Sequence, residues 1–455
     1  MLTTTRISAA EPTADRRPIV LLALCLGVLV AQIDTSVVNL AMHPIGATLH
    51  ADVAAMQWVL DGYNLTYAVL LMTGGLLADL YGRRRAFQGG AAILAGASVA
   101  CALAPSIGVL IGARVATGVG AALLLPSSLA IVRVVWPEQA SRRRVLGVWA
   151  SCNGLAFVVG PTIGGLLIEH LGWPSVFLLS VPLALAALVL AALTIRESAD
   201  PQDRYLDLPG QLAGAIMLGG VVFAAIDSHR GGQAWMLSLL VSALALPCFL
   251  AIERRAGRAA LVPLELFRNR GFCGAIVATA SMTFGIYGMI FLLPLVWQAS
   301  GLLGPEMAGV ALLPCALVFF LVSQGSGHLA QRVGVRMMTA GGTAVIGCGL
   351  LVLAVTFAGK PLVLAAVGLA LTGVGMGLNT GPLMSVAVEA VTAARSGTAS
   401  ALINVARMTG ATLGVAFLGV AFALGHGGAS GLRAAMLAGG SIQLVGAAIA
   451  WATIR

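Results

Sequence analysis

Charge is what this sequence most lacks. Only 9% of its 455 residues are Asp, Glu, Lys or Arg, against 59% hydrophobic. A soluble domain carries about 25% charged residues. So little charge cannot cover a water-facing surface, and lipid is expected to be the solvent. Long polar segments are missing too. The longest, the first 17 residues and about 253–271, could not bury a core of their own. That excludes a soluble catalytic or DNA-binding domain. Lysine is nearly absent, with Lys360 alone, and no GxxxxGK[ST] run appears, so no built-in ATPase is expected. The seven cysteines, Cys25, Cys101, Cys152, Cys248, Cys273, Cys315 and Cys348, fall in apolar runs without metal spacing and read as small packing residues. The six histidines (His43, His50, His170, His229, His328, His426) sit in loops or at run ends, with no HExxH. No metal and no cofactor is expected, and no convergent set of His, Cys or carboxylates suggests an enzyme.

What is present is apolar length. Fourteen stretches of about 20 residues, each enough to cross a bilayer, cover roughly 18–41, 57–79, 87–105, 107–132, 145–168, 173–195, 208–226, 235–252, 272–298, 306–327, 337–358, 361–385, 397–424 and 433–453. The first is too long for a signal-peptide core, and many follow, so no cleaved leader is expected. The formal charge of +9 is distributed by side of the membrane, so it does not suggest nucleic acid. Of 26 basic residues, 21 fall on one side, including Arg6, Arg16, Arg17, Arg83 to Arg85, Arg142 to Arg144, Arg204, Arg258, Arg395 and Arg455. Only Arg230, Lys360 and Arg433 fall on the other. This asymmetry places both termini in the cytoplasm.

The sequence repeats. Gly75-x-Leu77-Ala78-Asp79-x-x-Gly82-x-Arg84 returns as Gly327-x-Leu329-Ala330-Gln331-x-x-Gly334-x-Arg336. Thr117-Gly118-Val119-Gly120 returns as Thr372-Gly373-Val374-Gly375, and Gly160-x-Thr162-x-Gly164 as Gly410-x-Thr412-x-Gly414. All three are about 250 residues apart. They divide the chain into a tail (1–17), a six-helix bundle (18–200), a two-helix insert (201–255), a linker (256–271) and a second six-helix bundle (272–455). The expected fold is therefore an all-α integral membrane protein of fourteen transmembrane helices. Parallel repeats of this kind place a substrate site at their interface and expose it by rocking.

Ionisable groups inside a bilayer are costly and mark function. Four are candidates: Asp34 in span 1, Asp61 near the start of span 2, Arg114 in span 4 and Arg407 in span 13. Asp34 could trade protons with the substrate cycle or form a static pair with Arg114. Asp61 could meet substrate or face outside water. Arg407 could snorkel, bind backbone carbonyls or meet an anionic group. Glu169, Asp227, Glu253 and Glu389 read as solvated span ends. After span 2, Gly82 permits a tight turn, and Asp79 can pair with a basic residue or cap a neighbouring helix.

These motifs together resemble the major facilitator superfamily, and within it the 14-span drug:proton antiporters. The family signature G-x-L-a-D-r-x-G-r-[kr]-[kr] matches Gly75, Leu77, Ala78, Asp79, Gly82, Arg83 and Arg84. Its first-span motif resembles Ile33-Asp34-Thr35-Ser36-Val37-Val38-Asn39-Leu40-Ala41, and Trp58-Val59-Leu60-Asp61-Gly62-Tyr63 resembles its second span. Its span 4 motif matches Arg114, Gly118, Gly120, Ala121 and Ala122, with Thr117 where Gln is usual. Its span 5 antiporter motif matches Gly160, Pro161, Gly164 and Gly165, with Ala156 for the leading glycine. Arg407 lies in a segment, Asn404 to Gly410, like a late family motif. The resemblance implies proton-driven export by alternating access, with Asp34 and Arg114 coupling protons. It implies amphipathic, cationic substrates through Asp61, a conformational latch at Asp79 and a leak seal at Gly160-Pro161. The implied setting is a bacterial inner membrane, with small molecule, protons and lipid as partners. A narrow exporter of one metabolite and a proton-symport uptake carrier remain alternatives. The oligomeric state is open, and a monomer would suffice.

Overall fold

The computed structural model describes residues 16–200, 207–228, 232–257, 260, 262–356, 362–391 and 396–454. Residues 1–15 of the expected tail (1–17), with Arg6, and Arg204, His229, Arg230, Arg258, Lys360, Arg395 and Arg455 lie outside these. The described chain is helical almost throughout. In lipid every backbone group must be satisfied within the protein, and a helix does this within one segment.

The first six helices are α1 (Arg17–Leu49), α2 (Val53–Tyr81), α3 (Arg83–Ala102), α4 (Ile107–Val135), α5 (Gln139–Leu171) and α6 (Pro174–Thr194). Two follow between the repeats, α7 (Leu208–Asp227) and α8 (Ala234–Ala256). The rest are α9 (Arg270–Ala299), α10 (Pro305–Ala311), α11 (Leu313–Val333), α12 (Val335–Ala354), α13 (Leu362–Glu389), α14 (Ser396–Leu424) and α15 (Gly428–Thr453). Side chains start several of them: Asp52 accepts from the Ala55 N–H at 2.8 Å, and Asn269 from that of Phe272 at 3.2 Å. The tenth expected span is broken at Leu312 into α10 and α11, with a proline in the first turn of each. The first span runs eight residues beyond its expected end at Ala41, because the helix continues through Pro44 to Leu49. Counting α10 and α11 as one, twelve helices among the described residues are long and apolar enough to cross a membrane. The two that fall short, α2 and α3, are packed into the bundle beside them and complete fourteen spans.

The repeat is structural. In the first half α1 packs on α5 and α6, α3 on α4 and α6, and α2 on α4. In the second half α9 packs on α14 and α15, α12 on α13 and α15, and α11 on α13. The repeated glycines sit at the matching crossings. A Cβ on Gly118 would strike the Tyr63 carbonyl of α2, and one on Gly373 the Cys315 carbonyl of α11. Gly120 meets Gly90 of α3, as Gly375 meets Gly342 of α12. Gly160 and Gly164 press on Ser36 and Val37 of α1, as Gly410 and Gly414 press on Ala280 and Phe284 of α9. In lipid, such close approach is a main source of helix association.

Gly82 and Gly334 turn the chain at φ of 115° and 90°, a region L side chains avoid. They mark one end of the bundle, rich in arginine. The halves are joined toward the opposite end. There Gln57 of α2 donates to the Val415 and Ala416 carbonyls of α14, at 2.8 and 3.1 Å. Gln298 of α9 donates to the Leu40 carbonyl of α1 at 3.0 Å. One apolar core spans both halves here, with Leu40, Met42 and Ile45 in the same cluster as Phe291 and Trp297.

The insert is placed by its own side chains. The Gln211 amide of α7 bonds the Val69 carbonyl and the Thr73 hydroxyl of α2. Phe223 lies against Trp58, ring centroids 6.2 Å apart. α8 packs on α7, with Ser238 donating to the Gly220 carbonyl at 2.9 Å. Its far face exposes Leu237, Leu240 and Leu244. The pair thus covers the α2–α14 seam and turns leucine outward. The cysteines correct the packing expectation: Cys101 and Cys315 are buried, while Cys248 and Cys348 are exposed.

Candidate functional site

α1 and α4 place a carboxylate and a guanidinium together inside the first half. Asp34 is 0% exposed and Arg114 1%, and Arg114 Nη1 donates to Asp34 Oδ2 at 2.5 Å. Arg114 Nε donates to the Val59 carbonyl at 3.0 Å. The guanidinium also lies 4.7 Å from the Tyr63 ring centroid and 5.9 Å from that of Phe177, which adds cation–π attraction. Asp34 Oδ1 is buried without a hydrogen bond. Desolvation of two charges offsets much of their attraction, whereas removing one partner costs about 3–5 kcal/mol. A proton on Asp34 would have the latter effect, reversibly.

Asp61 does not join this pair. It is 0% exposed, and neither carboxylate oxygen has a hydrogen-bond partner. The alternative in which it faces outside water does not match this burial: the α2 face that carries it also carries Gln57 and is covered by α14.

Arg407 is apart from both. It is half-buried on α14, with Nε buried and without a partner. The rings of Tyr67 and Tyr63 are 6.0 Å apart, so aromatic contacts lead from the Asp34–Arg114 pair to the seam between the halves. Beside Tyr287 a cleft opens between α1, α5 and α9, lined by Gln32, Ser36, Asn39, Asn153 and Phe157. Gln32 and Asn153 bond each other across it at 2.6 Å.

At the arginine-rich end, Asp79 pairs with Arg83 at 2.9 Å. The helix cap allowed for Asp79 is supplied instead by Glu197, just after α6. Its carboxylate accepts from the Arg84 and Arg85 N–H groups, at 3.0 and 3.1 Å, at the start of α3. Gly82 leaves the space that this carboxylate fills. Main-chain bonds complete the clasp: Arg83 N–H to the Ser198 carbonyl and Asp200 N–H to the Asp79 carbonyl, both 2.9 Å. Gly75 packs on Pro126 of α4. The Arg84 guanidinium donates to the Ala192 carbonyl at 2.9 Å. Glu197 could have been suspected only from its place one helix end away from the turn.

The span 5 motif has two faces. Gly160 and Gly164 face α1, whereas Gly165 and the Pro161 carbonyl meet Pro305 and Gly309 of α10, across the halves. Gln57, Gln298, Tyr67 and Tyr287 were not singled out by sequence. As neutral residues, the two glutamines near span ends and the two tyrosines within spans, they carry no signal of cost. Glu253 is a correction: it is 2% exposed, not solvated, and accepts from the Val262 N–H at 3.1 Å. Among the described residues no group of three His, Cys, Asp or Glu could hold a metal ion.

The Major Facilitator Superfamily model matches residues 24–415. The chain belongs to the Major Facilitator Superfamily. It is thus a multi-pass membrane transporter, of a transporter family and not an enzyme family. It is 35% identical over 402 residues to "Multidrug resistance protein Stp" of Mycobacterium tuberculosis, covering 88% of this chain and 74% of that one. It is 31% identical over 467 residues to "Methylenomycin A resistance protein" of Streptomyces coelicolor, covering 100% and 97%. The superfamily fold is shared with a crystal structure of the peptide transporter POT in complex with sulfate, at TM-score 0.72 and 16% identity, over 95% of this chain and 94% of that one.

Proposed function

We propose that this superfamily member exports amphipathic small molecules in exchange for protons, by alternating access, across a bacterial inner membrane. The observation that carries this reading is the buried Asp34–Arg114 pair. It is a proton-sensitive bond in an apolar bundle, connected through Tyr63 and Tyr67 to the seam where the halves meet. The basic asymmetry makes the arginine-rich end cytoplasmic. The halves are then sealed on the outside by Gln57, Gln298 and the Pro161–Gly165 face of α5, consistent with a leak seal in the span 5 motif. The clasp at Asp79 and Glu197 would hold the cytoplasmic turn in place.

A second reading has one observation in its favour. The relative matched over nearly its whole length is named for resistance to a single antibiotic, so a narrow exporter of one metabolite fits the same architecture. A cationic substrate rests on Asp61, which is shut away from the cleft in this structure.

The test is substrate-induced proton release. Inside-out vesicles holding the full chain are loaded acid, and an internal pH dye is followed as amphipathic dyes of either charge are added. Wild type is expected to dissipate the gradient with at least one dye, and Asp34→Asn with none. Dissipation by Asp34→Asn equal to wild type would remove Asp34 from coupling. No response from wild type to any dye would sink proton exchange.

A further inference from the structure

Asp61 is a buried acid that the export reading leaves unused. It lies eight residues past Val53, the first residue of α2, so about 12 Å in from the outer end at a rise of ~1.5 Å per residue. It is 0% exposed, and neither carboxylate oxygen has a hydrogen-bond partner. The helices around it are fixed by contacts on either side of its stripe. One turn earlier, Gln57 donates to the Val415 and Ala416 carbonyls of α14 at 2.8 and 3.1 Å. Ala54 and Trp58 pack with Leu413 and Ala416 of α14 and with Val222 and Ile226 of α7. Asp61 is therefore shut into the seam where α2 of the first half meets α14 of the second, beside the insert.

The polar atoms left over on this stripe are all acceptors. Besides the two oxygens of Asp61, Gln57 Oε1 and Asn64 Oδ1 are buried without a partner, and positions 57, 61 and 64 follow one face at helical spacing. No described cation balances them, since none of the ion pairs printed by the described bundle includes Asp61. Among the helices packed on α2, Arg114 of α4 is held by Asp34 of α1 and by the Val59 carbonyl. Arg407 of α14 is eight residues from Val415, whose carbonyl Gln57 binds, and Asp61 is four from Gln57, so Arg407 lies about 6 Å deeper. Asp227 of α7 and His43 of α1 lie toward outer helix ends, and Arg83 to Arg85 and Arg133 at the opposite end. Cys101 of α3 is part of the apolar core, and the Tyr63 hydroxyl donates to the Ala31 carbonyl at 3.2 Å. A carboxylate with neither water nor a partner takes a proton rather than stay charged. A protonated carboxyl has one O–H to donate, the kind of group this stripe lacks. A metal ion fits less well, because Gln57 is pinned to α14 and stands seven residues, about 10 Å, from Asn64, whereas a proton needs a single acceptor.

We infer that Asp61 is a proton-binding site of the outer gate, protonated while α2 and α14 are closed and exchanging its proton with outside water when they part. Two acids of one half then hold opposite states at once, Asp34 ionised against Arg114 and Asp61 neutral in the seam. An ionised Asp61 cannot be shut between α2, α14 and α7. Closing therefore takes up a proton, and acid outside favours the closed seam. The inference rests on the arginine-rich end being cytoplasmic, which sets the side the proton comes from, and not on export or on Asp34.

The experiment places spin labels on Thr48→Cys and Ser430→Cys, at the outer ends of α1 and α15, in a cysteine-free full chain in lipid nanodiscs. Choline is the salt cation, and the open-to-closed ratio is read from the distance distribution as pH is raised. One proton released per opening makes that ratio climb by up to about tenfold per pH unit. Asp61→Asn should stay closed at every pH, and Asp34→Asn should keep the climb. An infrared spectrum at neutral pH, where an exposed aspartate is ionised, should show a protonated-carboxyl band that Asp61→Asn removes. That band needs no labels and no movement of the gate. A ratio unmoved by pH in folded wild type, a climb kept by Asp61→Asn, or no band lost in Asp61→Asn would each overturn the inference. A ratio shifted by Na+ in place of choline at fixed pH, and not in Asp61→Asn, would make the ligand a metal ion and overturn it too. Failure of dye-driven proton release in vesicles, with the pH response of the seam intact, would sink proton exchange and leave the gate standing.

Discussion

At Gly118 in the first half and Gly373 in the second, a helix comes up against a neighbour's carbonyl, Tyr63 in one case and Cys315 in the other. Around these matched glycines the side chains diverge. Three residues before the shared Thr-Gly-Val-Gly stands Arg114 in the first half and Leu369 in the second. In the shared turn Asp79 stands where the second half has Gln331. The second half packs the same helix pairs with a buried leucine at the first of these places. Burying a charge pair is therefore not a requirement of this packing. The glycines are the skeleton of both halves, and the buried Asp34–Arg114 pair is an addition to one of them.

The largest effect should come from making the first half resemble the second. Arg114→Leu leaves Asp34 buried and unpaired, and should cost about 3–5 kcal/mol, read as a lowered Tm in detergent. Asp34→Leu added to it removes the orphaned charge and should recover most of that loss, while proton release in vesicles stays abolished. A double variant no more stable than Arg114→Leu, or one that still exchanges protons, would make the pair structural and erase the distinction between the halves.

A smaller effect should separate two glycines that the repeat makes equivalent. A Cβ on Gly164 meets the Val37 side chain, whereas one on Gly414 meets the Phe284 carbonyl and main chain. A side chain can turn aside and a backbone cannot, and overpacking costs about 1–3 kcal/mol. Gly414→Ala should therefore lower Tm more than Gly164→Ala. The reverse order would mean that α1 is held more rigidly than α9.

The skeleton was legible in sequence because glycine spacing is what close helix crossings require. Fourteen spans, the turn at Gly82 and the three repeats needed only residue identities and distances along the chain. The Asp34–Arg114 pair was legible as one of two readings, since any charge in a span must find a partner. Less visible were groups whose role depends on which helices are neighbours. Glu197 follows α6 in Ile195-Arg196-Glu197-Ser198 like any span-end acid, and only the packing of α6 on α3 brings it to Arg84 and Arg85. Glu253 looked solvated for the same reason, yet the chain after α8 folds back over it. Gln57 and Gln298 are neutral, so nothing in their position announces a bond across the halves.

Gln57 should show a still smaller effect, and at the seam. Its amide donates to two α14 carbonyls, but its own oxygen is buried without a partner, so the net contribution should be about 1 kcal/mol. Gln57→Leu should raise the population open at this end about fivefold. Spin labels on Thr48→Cys and Ser430→Cys, in a cysteine-free background, would read it as a growing long-distance component. An unchanged distribution would leave Gln298 and the α5–α10 contact as the seal.

The smallest effect returns to the two turns. α3 starts with no cap from Gly82 itself, and Glu197 supplies the acceptor and the charge its N-terminus favours. α12 starts at Gly334 with no side-chain cap either. There the first turn is held through Arg336, which donates to the Trp451 carbonyl at 2.7 Å and lies 4.3 Å from its ring centroid. Glu197→Gln keeps the shape and loses the charge, worth about 0.3–1 kcal/mol at a helix end. Amide exchange at Arg84 and Arg85 should quicken by about two- to fivefold, with Tm unmoved and the start of α12 unaffected. Arg336→Gln should do the opposite, loosening α12 alone. If either change quickened exchange in both turns, the clasps would be coupled through the bundle. The first half's carboxylate would then be one end of a shared latch, and the contrast between a charged and a neutral half would not hold at this end of the molecule.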